Sequence, residues 1–211
     1  MRFTSRPEIS VILPTFNRAG LLEKAIESVL CQSFRDWELL VVDDGSSDAT
    51  YGVVNRYLER FSAIRYLKHS NRKLNMTRNA GIQAAFGRWI TFLDSDDSYL
   101  PLHLESRMDF MRENPETDLI VGGFHTDEEL FVRDCYNPEQ MIDIRECIVG
   151  PTLFGKREVF LALDGFKPLP YAGETELWSR AESMFRLRKI EEPKTYIYTR
   201  AEDSITKNFT P

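Results

Sequence analysis

Four consecutive polar residues, Asp94-Ser95-Asp96-Asp97, stand directly after the apolar run Trp89-Ile90-Thr91-Phe92-Leu93. Two carboxylates one residue apart at a strand end can give one oxygen ligand to Mg2+ or Mn2+ and one acceptor to ribose hydroxyls. A cation held this way neutralises a diphosphate and eases its departure. A bare Asp-x-Asp is more often a solvated turn that caps the next helix. The apolar strand before it, the third acid and Pro101 in the first turn of the following helix favour a site.

Three other stretches carry polar groups at element ends. Asp43-Asp44-Gly45-Ser46 closes the apolar run Glu38 to Val42. A carboxylate there can accept the imide N–H of uracil or a ribose hydroxyl; an Asp-Gly turn, with Asp48 capping the next helix, is the alternative. In Pro14-Thr15-Phe16-Asn17, Phe16 offers a ring face to a pyrimidine or a staple onto the next helix. Arg78, beside Asn79, can pair with a phosphate or remain an exposed helix arginine. His69, His103 and His125 match no metal-ligand spacing and read as structural or surface residues.

The elements around these residues alternate. Ile9 to Leu13 is a β-branched run stopped by Pro14, and Ala19 to Gln32 places Leu22, Ala25, Ile26, Val29 and Leu30 at helical spacing. A second strand at Glu38 to Val42 and a helix capped by Asp48 follow. Next come a third strand at Ile64 to Leu67, a helix at Met76 to Phe86, and the fourth strand at Trp89 to Leu93. This rhythm predicts an α/β fold with right-handed crossovers and a mainly parallel, Rossmann-like central sheet flanked by helices. Ligands of such sheets gather beyond the carboxyl ends of the strands, and Thr15, Asn17, Asp43, Asp44 and Asp94 to Asp97 all fall on that rim. After Asn114-Pro115 the pattern weakens. Strands are expected at Asp118 to Val121, Leu130 to Arg133 and Thr195 to Thr199, a short strand, helix and Gly-Phe turn over 152–166, and a helix at Glu176 to Leu187.

The totals suit one soluble domain over 1–211: 42% hydrophobic and 28% charged residues can build a core, and a net charge of −6 argues against a nucleic-acid partner. Cys31, Cys135 and Cys147 are odd in number, without a Cys-x-x-Cys pair, so free thiols in a reducing compartment are expected. Met1 to Glu8 leads into no signal-peptide core, and no run approaches the roughly 18 apolar residues of a spanning helix. The expected location is therefore cytoplasmic.

In order along the chain, the runs Ser10 to Ala19, Glu27 to Gln32, Glu38 to Ser46, Arg78 to Ile82 and Phe92 to Asp97 closely resemble glycosyltransferase family 2 over residues 8–106. A weaker tail includes Phe154 to Phe160, Gly165-Phe166, Glu174-Thr-Glu-Leu-Trp178 and Ser204-Ile-Thr206. The resemblance implies a GT-A fold with a small mixed acceptor-side extension. Residues 8–115 would form the nucleotide-sugar half and 116–211 the acceptor and catalytic-base half. It also implies a nucleotide-diphospho-sugar donor, Mn2+ or Mg2+, and inversion at the anomeric carbon. The acceptor would be a hydroxyl of a glycan or lipid carrier, with peripheral association at the inner membrane face. By position, Thr15, Phe16 and Asp44 would hold the base, with Pro14, Asn17, Asp43 and Ser95 beside them. Arg78 would lie near the phosphates, Asp94 at the ribose, and Asp96 on the metal, with Asp97 behind it as a capping group.

Inversion needs a general base for the acceptor hydroxyl. The family's acidic pair at the helix after the Gly-Phe turn reads Gly173-Glu174-Thr175-Glu176 here, so Glu174 takes the base position and Glu176 is the reserve. Both acids would also favour a helix N-terminus through its dipole. Where relatives carry Arg-x-His-x-x-Ser, Arg200-Ala201-Glu202-Asp203-Ser204 places Glu202 at the histidine position as a second metal ligand. Asn71-Arg72-Lys73 replaces glycines common in relatives. These departures keep a non-catalytic nucleotide-sugar binder open as an alternative. A receiver domain needs an acid on the third strand, which Ile64-Arg65-Tyr66-Leu67 lacks, and the Gly-x-Gly-x-x-Gly of a dinucleotide site is absent after the first strand.

Overall fold

The computed structural model describes residues 6–127, 129–137, 139–199 and 201. Unbroken apolar runs become central strands, covered on both faces. β1 (Ile9–Thr15) and β2 (Trp37–Asp43) are buried at every position. With β3 (Ile64–Lys68) and β4 (Trp89–Phe92) they pair in parallel, joined by α1 (Ala19–Leu30), α2 (Thr50–Leu58) and α3 (Lys73–Ala84). Then follow β5 (Ser98–Tyr99), α4 (His103–Glu113), β6 (Leu119–Gly122) and β7 (Phe124–His125). A hairpin of β8 (Phe131–Arg133) and β9 (Met141–Asp143) precedes 3-10 turns at Ile144–Glu146 and Gly150–Thr152. The described residues end with β10 (Phe154–Lys156), α5 (Arg157–Ala162), α6 (Gly173–Glu182), β11 (Leu187–Ile190) and β12 (Tyr196–Ile197).

Alternate side chains of each strand serve two cores. On β1, Val11 and Leu13 pack with Leu22 and Ile26 of α1, Val54 of α2 and Leu104 of α4. Ile12 faces the opposite way, towards Ile82 of α3, Phe160 of α5 and Leu177 of α6. The result is three layers, with helices on both faces of one sheet. That sheet runs β11-β6-β10-β4-β1-β2-β3, with β10 antiparallel to both neighbours and β11 parallel to β6. Because β1 lies between β2 and β4, the chain leaves it on one side and returns on the other. A crevice therefore opens where β1 and β4 end.

The second half departs from expectation in ways that tertiary pairing explains. β10 is an antiparallel strand inside the main sheet, so part of the expected extension is built into it. The helix expected to reach Leu187 ends at Glu182, and Leu187–Ile190 is a strand because β6 offers it a partner. α3 starts at Lys73, three residues earlier than expected. The remaining strands, β5, β7 and β12, form a small mixed sheet beside the acidic turn.

Candidate active site

The acidic turn is fixed from both ends. Leu93 N–H donates to Ile12 O at 3.0 Å, continuing the β1–β4 ladder, and Asp97 N–H closes the turn on Asp94 O at 3.0 Å. Its three acids then diverge. Asp94 takes the Arg78 guanidinium, Nη2 lying 2.9 and 3.2 Å from its two oxygens. Asp96 pairs with Arg18 Nη1 at 3.0 Å, and the same nitrogen lies 3.3 Å from Ser95 Oγ. Asp97 is buried, accepting from the Tyr196 hydroxyl and, at 2.6 Å, from Thr199 N–H. Burial, and then the charge of Asp94, push the Asp96 carboxyl above its ordinary range, with Arg18 opposing. Asp97 is pushed well above by burial and both acidic neighbours.

Crowded carboxylates that raise each other's proton affinity are relieved by a cation. Here the guanidinium of Arg18 supplies that charge at Asp96, the carboxylate that a divalent ion would take in its place. Among the described residues no group of three or more His, Cys, Asp or Glu is gathered around a metal position. Glu202, the expected second ligand, lies outside the described residues.

At the ends of β1 and β2, the expected nucleotide residues separate into cleft wall and framework. Pro14, Thr15, Phe16 and Asp44 line the cleft, and Thr15 Oγ1 is buried without a hydrogen-bond partner. Asp44 also accepts from the N–H groups of Arg72 at 2.6 Å and Lys73 at 2.9 Å, so it anchors the start of α3. Asn17 shapes the loop instead. Its φ is 52°, its N–H donates to Ser46 Oγ at 2.8 Å, and its Oδ1 accepts from Ser47 N–H at 2.8 Å. Asp43, expected beside the nucleotide, is not among the residues that line the cleft. It is wholly buried and away from the cleft, accepting from Ser46 N–H and the Tyr66 hydroxyl. Its strand register points it inward under the turn. The Asp48 carboxylate reaches Ala19 N–H at 3.0 Å as well as Thr50 N–H, bridging the starts of α1 and α2.

Across the cleft, α3 and α6 position the remaining groups. Asn79 exchanges two hydrogen bonds of 2.8 Å with the backbone of Phe166, and Asn75 Nδ2 donates to Lys167 O and Leu169 O. These two asparagines, one turn apart, clamp the segment leading into α6. Gly173 opens that helix because a Cβ there would stand 2.2 Å from Asn75 Nδ2. Glu174 follows, half-buried in the cleft wall. Burial raises its pKa, while Arg78 and the N–H groups of Glu174 and Gly150 oppose the rise. Glu176, the expected reserve base, is not among the residues that line the cleft. It faces Arg180 at 2.6 Å, away from the cleft, and Arg180 in turn donates to Leu163 O and Gly165 O. Two residues along a helix turn a side chain through about 200°, so Glu174 and Glu176 cannot share one wall.

All these cleft groups border one cavity of ≈ 960 Å3. Its far wall comes from the β8–β9 hairpin, the segment through Gly150 and Pro151, and Trp178 of α6. Sequence reasoning missed Arg18, Tyr196 and Gly150. Arg18 carried a signal, following Asn17 on the same rim; Tyr196 and Gly150 lie in stretches without a motif.

Comparison with known proteins gives the family and the fold. The family model for glycosyl transferase family 2 matches residues 10–143, and the chain belongs to that family. It is 45% identical over 104 residues to GalNAc(5)-diNAcBac-PP-undecaprenol beta-1,3-glucosyltransferase of Campylobacter jejuni, covering 48% of this chain and 34% of that relative. It is 38% identical over 111 residues to the putative teichuronic acid biosynthesis glycosyltransferase TuaG of Bacillus subtilis, covering 51% of this chain and 43% of TuaG. The chain thus spans less than half the length of these relatives. In fold it matches S. aureus TarS 1-349 in complex with UDP-GlcNAc, with TM-score 0.79, 20% identity and 97% of this chain against 62% of that one. The mannosyltransferase PcManGT of Pyrobaculum calidifontis, in complex with GDP-Man and Mn2+, matches with TM-score 0.75, 19% identity and 96% against 59% coverage. The fold is GT-A. No described helix is long and apolar enough to cross a membrane.

Proposed function

We propose that the chain is the catalytic domain of a metal-dependent, inverting glycosyltransferase that uses a nucleotide-diphospho-sugar, a UDP-sugar by preference. The acceptor is a hydroxyl on a glycan or lipid-linked intermediate of cell-envelope polysaccharide synthesis. One observation carries this reading: the acidic turn and Glu174 face one cleft, with the Arg78 guanidinium bound to Asp94 between them. The named activities of the Campylobacter and Bacillus relatives, and the UDP-GlcNAc of TarS, support the donor and acceptor classes.

Asp96 would hold the metal ion in place of its pairing with Arg18, and Asp94 would hold the ribose. A bound Mn2+ or Mg2+ neutralises the departing diphosphate. Thr15 and Phe16 receive the base, Phe16 through its exposed ring and Thr15 through its unpaired hydroxyl. Glu174 removes the acceptor hydroxyl's proton as that oxygen bonds the anomeric carbon and the bond to the diphosphate oxygen breaks. The leaving group on one face and the base on the other produce inversion in a single displacement.

The test is release of UDP from UDP-glucose, UDP-GlcNAc and UDP-galactose with Mn2+, comparing wild type with Glu174→Gln. Release that Glu174→Gln loses by about 100-fold or more, with UDP still bound, supports the enzyme. Binding without turnover, under every donor and acceptor offered, leaves a non-catalytic nucleotide-sugar binder.

A further inference from the structure

Arg78 is 1% exposed, one of the largest wholly buried side chains in the protein. Its guanidinium carbon lies 5.7 Å from the ring centroid of Phe92 and 5.5 Å from that of Phe166. A planar guanidinium has five N–H donors in a fixed fork. Nη2 spends its donors on Asp94, whereas Nε and Nη1 are buried with no hydrogen-bond partner. Unmade hydrogen bonds of a buried cation are costly, so their retention calls for a reason. Nη1 lies beside Gly150. A Cβ on that glycine would stand 2.9 Å from Nη1 and 3.2 Å from Glu174 Cβ, so Arg78 and Glu174 approach each other across its bare Cα.

We propose that Arg78 is a positioning residue that links Glu174 to Asp94, and that Gly150 is the spacer whose missing side chain allows the link. This inference rests on the reading of Glu174 as the base. The groups around Glu174 are Arg78 from α3, Asp94 after β4, Cys135 after β8, Cys147 after the first 3-10 turn, and the N–H of Gly150. Arg78 is the cation of this set. Its free fork orients the Glu174 carboxylate and favours the ionised form that accepts a proton. Its other arm holds Asp94, so the carboxylate at the ribose and the carboxylate at the acceptor are set by one rigid group. Arg78 would then bind little of the diphosphate itself, its charge being already shared between two carboxylates.

Gly150→Ala inserts a methyl group between the partners without touching the nucleotide wall, and Gly150 holds no left-handed backbone that would strain alanine. Gly150→Ala and Arg78→Lys are compared with wild type for UDP release from UDP-sugars with Mn2+ between about pH 5 and 9, alongside UDP affinity by calorimetry. The expected result for Gly150→Ala is UDP affinity within about threefold of wild type, kcat lower by about 10- to 100-fold, and the acid limb of the rate profile moved to higher pH; Arg78→Lys, which also loosens Asp94, moves the limb the same way. UDP affinity lower by about tenfold or more with the limb unmoved would make Arg78 a phosphate ligand and overturn the inference. A wild-type profile in Gly150→Ala also overturns it, and that variant decides the matter if Arg78→Lys does not fold. The underlying reading fails separately, if Glu174→Gln keeps wild-type turnover or wild type releases no UDP at all.

Discussion

Tyr196 donates its phenolic hydrogen to the carboxylate of Asp97 across 99 residues of sequence, and the same oxygen accepts from Asp94 N–H at 3.3 Å. With Thr199 N–H on the other oxygen of Asp97, the strand β12 is fastened to the acidic turn. Asp97 is thereby a framework group, whereas the two acids before it pair with Arg78 and Arg18 at the cleft.

Tyr196→Phe removes one donor from this buried carboxylate. An unsatisfied buried acceptor costs about 1–3 kcal/mol. For a chain of this size the expected fall in Tm is about 2–10 °C, measured by differential scanning fluorimetry without ligand. An unchanged Tm would show that the fastening contributes nothing.

Gly173→Ala places a methyl group 2.2 Å from Asn75 Nδ2, where the helix start and the clamped segment leave no room. Overpacking of this kind costs about 1–3 kcal/mol, so the denaturant midpoint should fall with an unchanged m-value. Gly173→Glu, which restores the acidic pair common in relatives, should fall further. A variant as stable as wild type would mean that Asn75 moves aside freely.

Glu174 and Glu176 should separate cleanly. Glu176→Gln is expected to keep kcat/KM within about threefold, whereas Glu174→Gln loses about 10²–10⁴ in kcat. Burial raises the Glu174 pKa, and a base works deprotonated, so the acid limb should lie above the ordinary carboxylate range. The same shift has a consequence for stability. A raised carboxyl pKa favours the folded state below the unfolded pKa and loses that contribution as pH rises through the folded value. Glu174→Gln should therefore raise Tm at neutral pH, with a gain that shrinks on acidification. A limb in the ordinary range of a free glutamate would contradict the burial.

The parallel half of the fold was legible because β1, β2 and β4 are buried on both faces, which leaves them little alternative, and β3 follows from their rhythm. The acidic turn was legible because it directly follows β4. β11 was not, since Leu187-Arg188-Lys189-Ile190 extends a helical pattern and becomes a strand through β6. The choice between Glu174 and Glu176 depended on where α6 begins, and Gly173 opposite Asn75 decides that from outside the helix. Asp43 and Asp44 look alike in sequence, yet strand alternation sends one into the framework and the other to the cleft wall. The pairing of Asp97 with Tyr196 belongs to the tertiary structure alone.

The most direct test of the donor site is a thermal-shift titration of UDP and UDP-sugars with Mn2+, on wild type and Asp96→Ala. Ligand at about 100 times its Kd contributes about 2.7 kcal/mol, a rise of roughly 5–10 °C for a domain of this size. The account predicts that rise in wild type, its dependence on Mn2+, and its loss in Asp96→Ala with the ligand-free Tm little changed. A wild-type protein that responds to no nucleoside diphosphate, or an Asp96→Ala variant that responds as fully as wild type, would contradict it.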